Sequence, residues 1–242
     1  MIDRNFRSRC KTTLATGSLL LLFALLLSGC AASGTASVAK AYQPQPGEPV
    51  GWLAGSLAAR GGEFGSFSGN SVDFRLVGGK HAGNFYLYVV GTMDGYPPKI
   101  DLVEGNNFLQ TYLVPMKPGR YEVYAGSMST DTGMASFSVN SKKNQVSLPF
   151  QIEAGKVTYL GAFTTESFGG KNLFGQRIRA GAYFVVTNER ERDLALLAKK
   201  GVMPDPAVEV VEAVPAFELQ DIFVRAPMLD GKGLSARLGM FD

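Results

Sequence analysis

The sequence predicts a mainly β protein, an antiparallel β-sandwich followed by one helix near the C-terminus. Three observations carry this expectation. Period-two alternation recurs along the chain, as where Val72, Phe74 and Leu76 alternate with Asp73 and Arg75. Short apolar runs are separated by turn clusters such as Met116-Lys117-Pro118-Gly119 and Glu153-Ala154-Gly155-Lys156. Glycine supplies 29 of the 242 residues, well above the usual share of about 7%, which suits strands joined by tight turns. Short strands at even spacing favour a sandwich over a barrel.

The N-terminus reads differently. Arg4, Arg7, Arg9 and Lys11 precede an unbroken apolar run from Leu19 to Leu27, which ends in Leu27-Ser28-Gly29-Cys30. A positive region, a short apolar region and small residues before a cleavage point make a signal peptide. The run falls short of the roughly 18 residues a membrane span needs. Leu27, Ser28, Gly29 and Cys30 resemble the bacterial lipobox, which implies a lipoprotein signal peptide over 1–29. Cys30 is then the first mature residue and the acyl acceptor. In such lipoproteins an Asp after the Cys favours the inner membrane; Ala31 stands there, so the resemblance implies an outer-membrane anchor facing the periplasm. Residues 30–48, small and polar with Pro44 and Pro46, form the lipidated Cys and a flexible tether, reaching roughly 23 Å as a coil.

The sandwich domain is expected over 49–187. Its strands are the opening stretch 52–60, the alternation at 72–76, Phe85 to Val90, Phe108 to Val114, Tyr121 to Tyr124, Met134 to Val139, Val146 to Ile152, Val157 to Phe163 and Ile178 to Val186. Phe85 to Val90 is apolar on both faces and reads as a central strand. Residues 188–242 hold the helix and a tail. Asn188 caps with Glu191 answering three residues later, Leu194, Leu197 and Ala198 share a face, and Gly201 with Pro204 marks the stop. The alternating charges of Glu189 to Arg192 read as a solvated first turn. The tail has one short apolar run, Asp221 to Arg225.

Val114-Pro115-Met116-Lys117-Pro118-Gly119-Arg120-Tyr121-Glu122-Val123 resembles a hairpin entry of transthyretin-like and carboxypeptidase-regulatory-like sandwiches, with Pro118-Gly119 as the turn and Tyr121 and Val123 opening the next core strand. The stretch Leu148 to Gly161 resembles the matching later hairpin of uncharacterised bacterial lipoproteins with this sandwich. An Ig-like sandwich is the other type the pattern allows. Both motifs are structural and imply a scaffold without catalytic residues.

Composition narrows the chemistry. The net charge of +3 resides in the leader, where four basic side chains face only Asp3, so the remainder is formally neutral and gives nucleic acid no electrostatic hold. One His, and no Cys beyond Cys30 once Cys10 is lost with the leader, exclude a disulfide, a Cys nucleophile and a soft-ligand metal site. No cofactor and no transition metal are expected. His81 sits in a loop, with no Gly-x-Ser-x-Gly elbow for it to serve. Ser37 and Lys40 match a Ser-x-x-Lys spacing, but in the tether and without companion motifs. Asp94, Asp101 and Glu104 offer carboxylates among turn residues. Gly61, Gly62, Gly65 and Gly69 fit a hairpin tip. Phe64, Phe67, Tyr86, Tyr88, Tyr121 and Tyr124 supply core or a stacking surface.

The expectation is a lipid-anchored, non-enzymatic envelope protein that binds a protein or envelope component. A structural docking subunit of a larger envelope assembly, such as a secretion system, is the alternative, and a carboxylate-dependent glycan-active enzyme a more distant one.

Overall fold

The computed structural model describes residues 42, 44–61, 67–80, 82–88, 100–131, 136–142 and 145–225, all within the unit formed by residues 37–242. The strands are β1 (Gly51–Ala59), β2 (Gly69–Leu76), β3 (Ala82–Tyr88), β4 (Leu102–Glu104), β5 (Asn107–Met116), β6 (Gly119–Asp131), β7 (Ser136–Asn140), β8 (Leu148–Ile152), β9 (Val157–Lys171), β10 (Arg177–Thr187), β11 (Val210–Glu212), β12 (Leu219–Gln220) and β13 (Phe223–Arg225). Helix α1 spans Arg190–Lys199. Among the described residues these strands form two sheets. The larger has eight strands in the order β12-β13-β10-β9-β1-β5-β4, with β11 also on β9; the smaller has five in the order β3-β2-β6-β7, with β8 on β6. Side chains from both sheets share one apolar core, as a sandwich requires.

Each of the nine stretches expected from the sequence carries a strand, and the four added strands are only two or three residues long. The larger sheet is mixed, not wholly antiparallel as expected: β1 with β9, β10 with β13 and β11 with β9 run parallel. These pairings need long crossovers that local alternation does not reveal. Strand β3 lies at the edge of its sheet, not at the centre. Phe85 and Leu87 are buried while Tyr86 is exposed, so the aromatic at 86 uses its amphipathic character at the surface.

Neither hairpin expected from the sequence is a hairpin. Strand β5 belongs to the large sheet and β6 to the small one, so Lys117-Pro118 carries the chain from one sheet to the other. The link from β8 to β9 does the same. The two arches stand side by side, since β6 pairs with β8 while β5 and β9 flank β1. Tyr121 and Val123 do enter the core. The Tyr121 hydroxyl donates to the Lys117 carbonyl at 2.9 Å and pins the first arch.

Between the sheets, Phe85 stacks on Tyr112 with centroids 4.8 Å apart, and Phe184 stacks on Phe223 at 5.2 Å. The second pair presses on β6 at Gly126, where an added Cβ would meet the Phe223 ring at 2.7 Å. At Gly161 the chain adopts φ +122, and β9 places two residues opposite Gly55 of β1, a bulge that tightens the local twist. Above that bulge β10 is the next neighbour of β9; below it β11 takes that place.

Residues 188–225 are integral to the sandwich. Strands β11, β12 and β13 complete the large sheet, and Phe223 is fully buried in the common core. Asp221, at φ 51, turns the chain between β12 and β13, and its Oδ2 accepts the Lys142 N–H at 2.5 Å; the Gln220 side-chain Oε1 accepts the Ser147 N–H at 2.9 Å. The tail therefore closes one end of the sandwich against a loop of the smaller sheet.

Helix α1 covers the outer face of the large sheet through Leu197, which is fully buried against Ala54, Val157 and Tyr159, with Leu194 alongside. Ala198 is exposed and does not share that face. Gly201 ends the helix as expected, its N–H bonded to the Ala198 carbonyl at 2.9 Å and that of Val202 to the Leu197 carbonyl at 3.4 Å. Leu197→Ala should lower unfolding stability in urea by about 2–5 kcal/mol. Glu189→Ala, at a half-exposed side chain 3.7 Å from Arg192, should stay within about 0.5 kcal/mol.

Candidate functional site

Leu27, Ser28, Gly29 and Cys30 lie outside the described residues, as do Ser37, Lys40, Phe64, His81, Asp94 and the Tyr88 side chain. Of the loop carboxylates that are described, Glu104 is exposed and Asp101 is engaged. Its Oδ2 accepts the Thr111 N–H and hydroxyl at 2.6 Å each and the Lys200 ammonium at 2.8 Å. Burial works against the charge of Asp101, but these donors outweigh it and hold the carboxyl below its ordinary range. Lys200 also donates to the Thr111 carbonyl at 3.0 Å, which fixes the C-terminal end of α1 to β5. Phe67 and Tyr121 are core residues, and Arg75 lies over the Tyr124 ring at 4.6 Å. The Tyr112 hydroxyl donates to the Tyr86 carbonyl and joins the two sheets; burial pushes its pKa up.

The sequence reading missed the densest polar cluster among the described residues. Asp193, next in the chain after the Glu189–Arg192 run expected to be solvated, is fully buried between α1 and the large sheet. Its Oδ2 accepts the Ser56 hydroxyl at 2.6 Å and the Tyr159 hydroxyl at 2.8 Å. Its Oδ1 accepts Nε and Nη2 of Arg192 at 2.9 and 2.7 Å. Four donors satisfy a carboxylate completely. Tyr159 also accepts the Glu189 N–H at 3.2 Å, so the sheet caps a helix that has no side-chain cap of its own. Burial and the Asp193 charge together raise the Tyr159 pKa. Asn188 instead accepts the Arg190 N–H at 3.3 Å, a local turn contact. One signal for this cluster was in the sequence: Asp193 precedes Leu197 by four residues and so shares its face, and Ser56 sits between Ala54 and Ala58 on the outer side of β1.

Chemically the cluster is a tie. Ser56 and Asp193 are both at 0% exposure, so no substrate atom reaches them while α1 is docked. Beside Arg192 a recess of about 110 Å³ is floored by Ala58 and Thr164 and rimmed by Arg60 and Glu104, well below the roughly 300 Å³ of small-molecule sites. A wider hollow of about 680 Å³ over the first turn is lined by Glu189, Arg190, Glu191, Arg192 and Glu212. Charges of both signs alternate along it and leave no focused field. Among the described residues no three His, Cys, Asp or Glu side chains gather to hold a metal ion.

Among the described residues the most exposed large apolar side chains lie elsewhere. Pairing of β9 with β1 ends at Thr165, and pairing of β10 with β13 covers only 184–186. Residues 166–171 and 177–183 therefore pair only with each other, over roughly 20 Å of strand, the base still packed on the sandwich through Ala182 and Arg179. A free ribbon is marginal in water, and this one is reinforced. Phe168 lies over Gly181, where an added Cβ would collide with its ring, and stacks on Tyr183 at 6.3 Å. At its base Glu166 pairs with Arg60 and accepts the Tyr183 hydroxyl at 3.1 Å. Arg179 lies over the Phe67 ring at 4.3 Å.

The turn at the tip is held by one side chain. Asn172 Oδ1 accepts the N–H groups of Phe174 at 3.0 Å and Gln176 at 2.9 Å, while its Nδ2 donates to Gln176 at 2.8 Å. This fixed turn presents Leu173 and Phe174 to solvent at 102% and 87% exposure. Period-two reading missed it, because an apolar pair inside a turn has no alternation to register.

Two outcomes follow for the polar ties. Asp193→Ala removes the acceptor of the buried Ser56 and Tyr159 hydroxyls, so urea unfolding should show a loss of about 3 kcal/mol. Asp193→Asn, which keeps the shape and one acceptor, should cost less. For Asp101 the folded pKa is depressed, so its contribution is present above the unfolded pKa of about 4 and is lost as the pH falls through the folded value. Asp101→Asn should therefore be less stable than the parent at neutral pH, with the gap closing below about pH 4 in acid titrations followed by circular dichroism.

Comparison with protein-family models, curated proteins and solved structures gives no match for the chain.

Proposed function

We propose that the chain is a lipid-anchored, non-enzymatic protein of the cell envelope, held at the outer membrane and facing the periplasm, that acts by binding. Its scaffold, on this reading, is a transthyretin-like sandwich. The observation that carries the binding role is the ribbon of β9 and β10, a braced arm whose tip exposes Leu173 and Phe174 with no role in the core. The anchor rests on the sequence Leu27-Ser28-Gly29-Cys30 behind a basic, then apolar, leader. The transthyretin-like type rests on the sequence resemblance around Pro118-Gly119 and from Leu148 to Gly161, although both stretches form inter-sheet arches and not the hairpins that the resemblance implied.

A non-enzymatic role is favoured because the described polar clusters are committed to packing. Asp101 is spent on Lys200 and Thr111, and the Ser56–Asp193 pair is sealed under α1. A glycan-active enzyme needs two reachable carboxylates across a cleft. Burial of Leu197 also means that α1 is no spare arm for a larger envelope assembly, which favours an autonomous binding module over a docking subunit. A neutral mature chain argues against nucleic acid as the partner.

Cys30→Ser tests the anchor. The variant should lose lipid labelling and move to the soluble periplasmic fraction, and unchanged membrane retention would overturn the anchored reading.

A further inference from the structure

We propose that the outer face of β10, β12 and β13 is the seat of the chain's own C-terminal segment, residues 226–242. The assignment is independent of the binding role of the ribbon tip and of lipidation at Cys30.

Alternation in β10 sends Ala182, Phe184 and Val186 into the sandwich core and Tyr183 and Val185 to the opposite face, where Val224 of β13 joins them. A sheet face becomes enclosed only beneath a second layer, and these three outer side chains are at 8, 4 and 1% exposure. The apolar side chains described around them, Phe168 and Leu219, belong to the same sheet. Helix α1 packs elsewhere on the outer face, over Ala54, Leu113, Val157 and Tyr159, and its cluster shares no residue with this one. Among the described residues, then, Val185 and Val224 have no apolar layer above them.

The chain itself supplies a candidate of the right reach and composition. Residues 226–242, which lie outside the described residues, begin two positions after Val224. The patch from Leu219 to Phe168 spans four strands, about 14 Å at sheet spacing. Eight residues separate Arg225 from Leu234, enough to bridge up to about 30 Å. Leu234, Leu238 and Phe241 then follow at i, i+4 and i+7, the spacing of one apolar side of a helix. The two acidic and two basic side chains of the segment cancel, as suits a seat built from uncharged side chains. A second copy would have to compete with a segment tethered at a roughly millimolar effective concentration.

The test uses the full-length chain with photo-reactive benzoylphenylalanine in place of Phe241. Irradiation should give a product of monomer mass at every protein concentration, with position 241 joined to a peptide containing Tyr183 and Val185 or to one containing Leu219 and Val224. A product of dimer mass that grows with concentration makes the occupant a second copy and overturns the proposal. An adduct mapped elsewhere in the chain, an adduct with another protein, or none at all overturns it as well. A second measurement asks whether the face depends on the segment. Leu234→Asp with Leu238→Asp should raise the fluorescence of an apolar dye and lower the urea midpoint, while the far-ultraviolet circular dichroism of the sheets is retained. Dye binding and midpoint equal to those of the parent overturn the proposal, because a seat that loses its occupant must gain exposed apolar surface.

Discussion

The placement of β1 constrains everything else. This strand has β5 on one edge and β9 on the other, and both of its faces are covered, by the sandwich core on one side and by α1 and its neighbours on the other. A strand enclosed on four sides leaves little freedom in side-chain size. Leu53 and Leu57 point into the core, whereas Ala54, Ser56 and Ala58 on the opposite face are small enough for a helix to settle close to the sheet. That closeness lets Asp193 reach Ser56 and Tyr159, and it brings Lys200 within range of Asp101. The mixed character of the sheet follows too, because β9 reaches β1 from the other sheet by way of the second arch and so arrives running parallel to it.

The sequence disclosed whatever depends on local period. Val72, Phe74, Leu148, Phe150 and Ile152 are where alternation puts them, and Leu197 lies on the buried side of its helix. It was silent where the determinant is a partner far along the chain. Strand β11 is three residues long and β13 is another three, and nothing in Val210 to Glu212 or Phe223 to Arg225 specifies parallel docking on β9 or β10. Lys117-Pro118 looks the same whether the chain folds back in its own sheet or crosses to the other. Asp193 was hidden by its neighbours, since in a run of alternating charges one member can be withdrawn from water without any change in pattern. Of the candidate binding features, the proposed anchor rests on a linear motif, Leu27-Ser28-Gly29-Cys30, which a sequence displays directly, whereas the ribbon tip was not legible, because exposure is a property of the fold.

The polar ties also set how the parts are joined. Helix α1 is held at its N-terminal end by the Tyr159 hydroxyl and the Asp193 carboxylate and at its C-terminal end by the Lys200 ammonium, with Leu197 between. Losing one partner of a buried polar contact such as Asp193 with Ser56 and Tyr159 is costly, whereas the half-exposed Lys200–Asp101 pair contributes less. Their effect is to specify one position of the helix on the sheet. The sandwich interior relies on aromatic pairs and on a tyrosine hydroxyl spanning the two sheets, so its registry comes from shape more than from charge.

The central position of β1 has a kinetic side. It is the first strand among the described residues and cannot acquire its second neighbour until β9 exists, about a hundred residues later, so the contacts that complete the sheet have large sequence separation. Topologies of this kind fold slowly and leave unpaired strand edges open to other chains while they do so. The sequence of β1, Gly-Trp-Leu-Ala-Gly-Ser-Leu-Ala-Ala, contains no β-branched residue and two glycines. Such a segment has a weak intrinsic preference for pairing. The strand on which the sheet is assembled is thereby one of the poorest templates for intermolecular strand addition during the interval in which it stands alone.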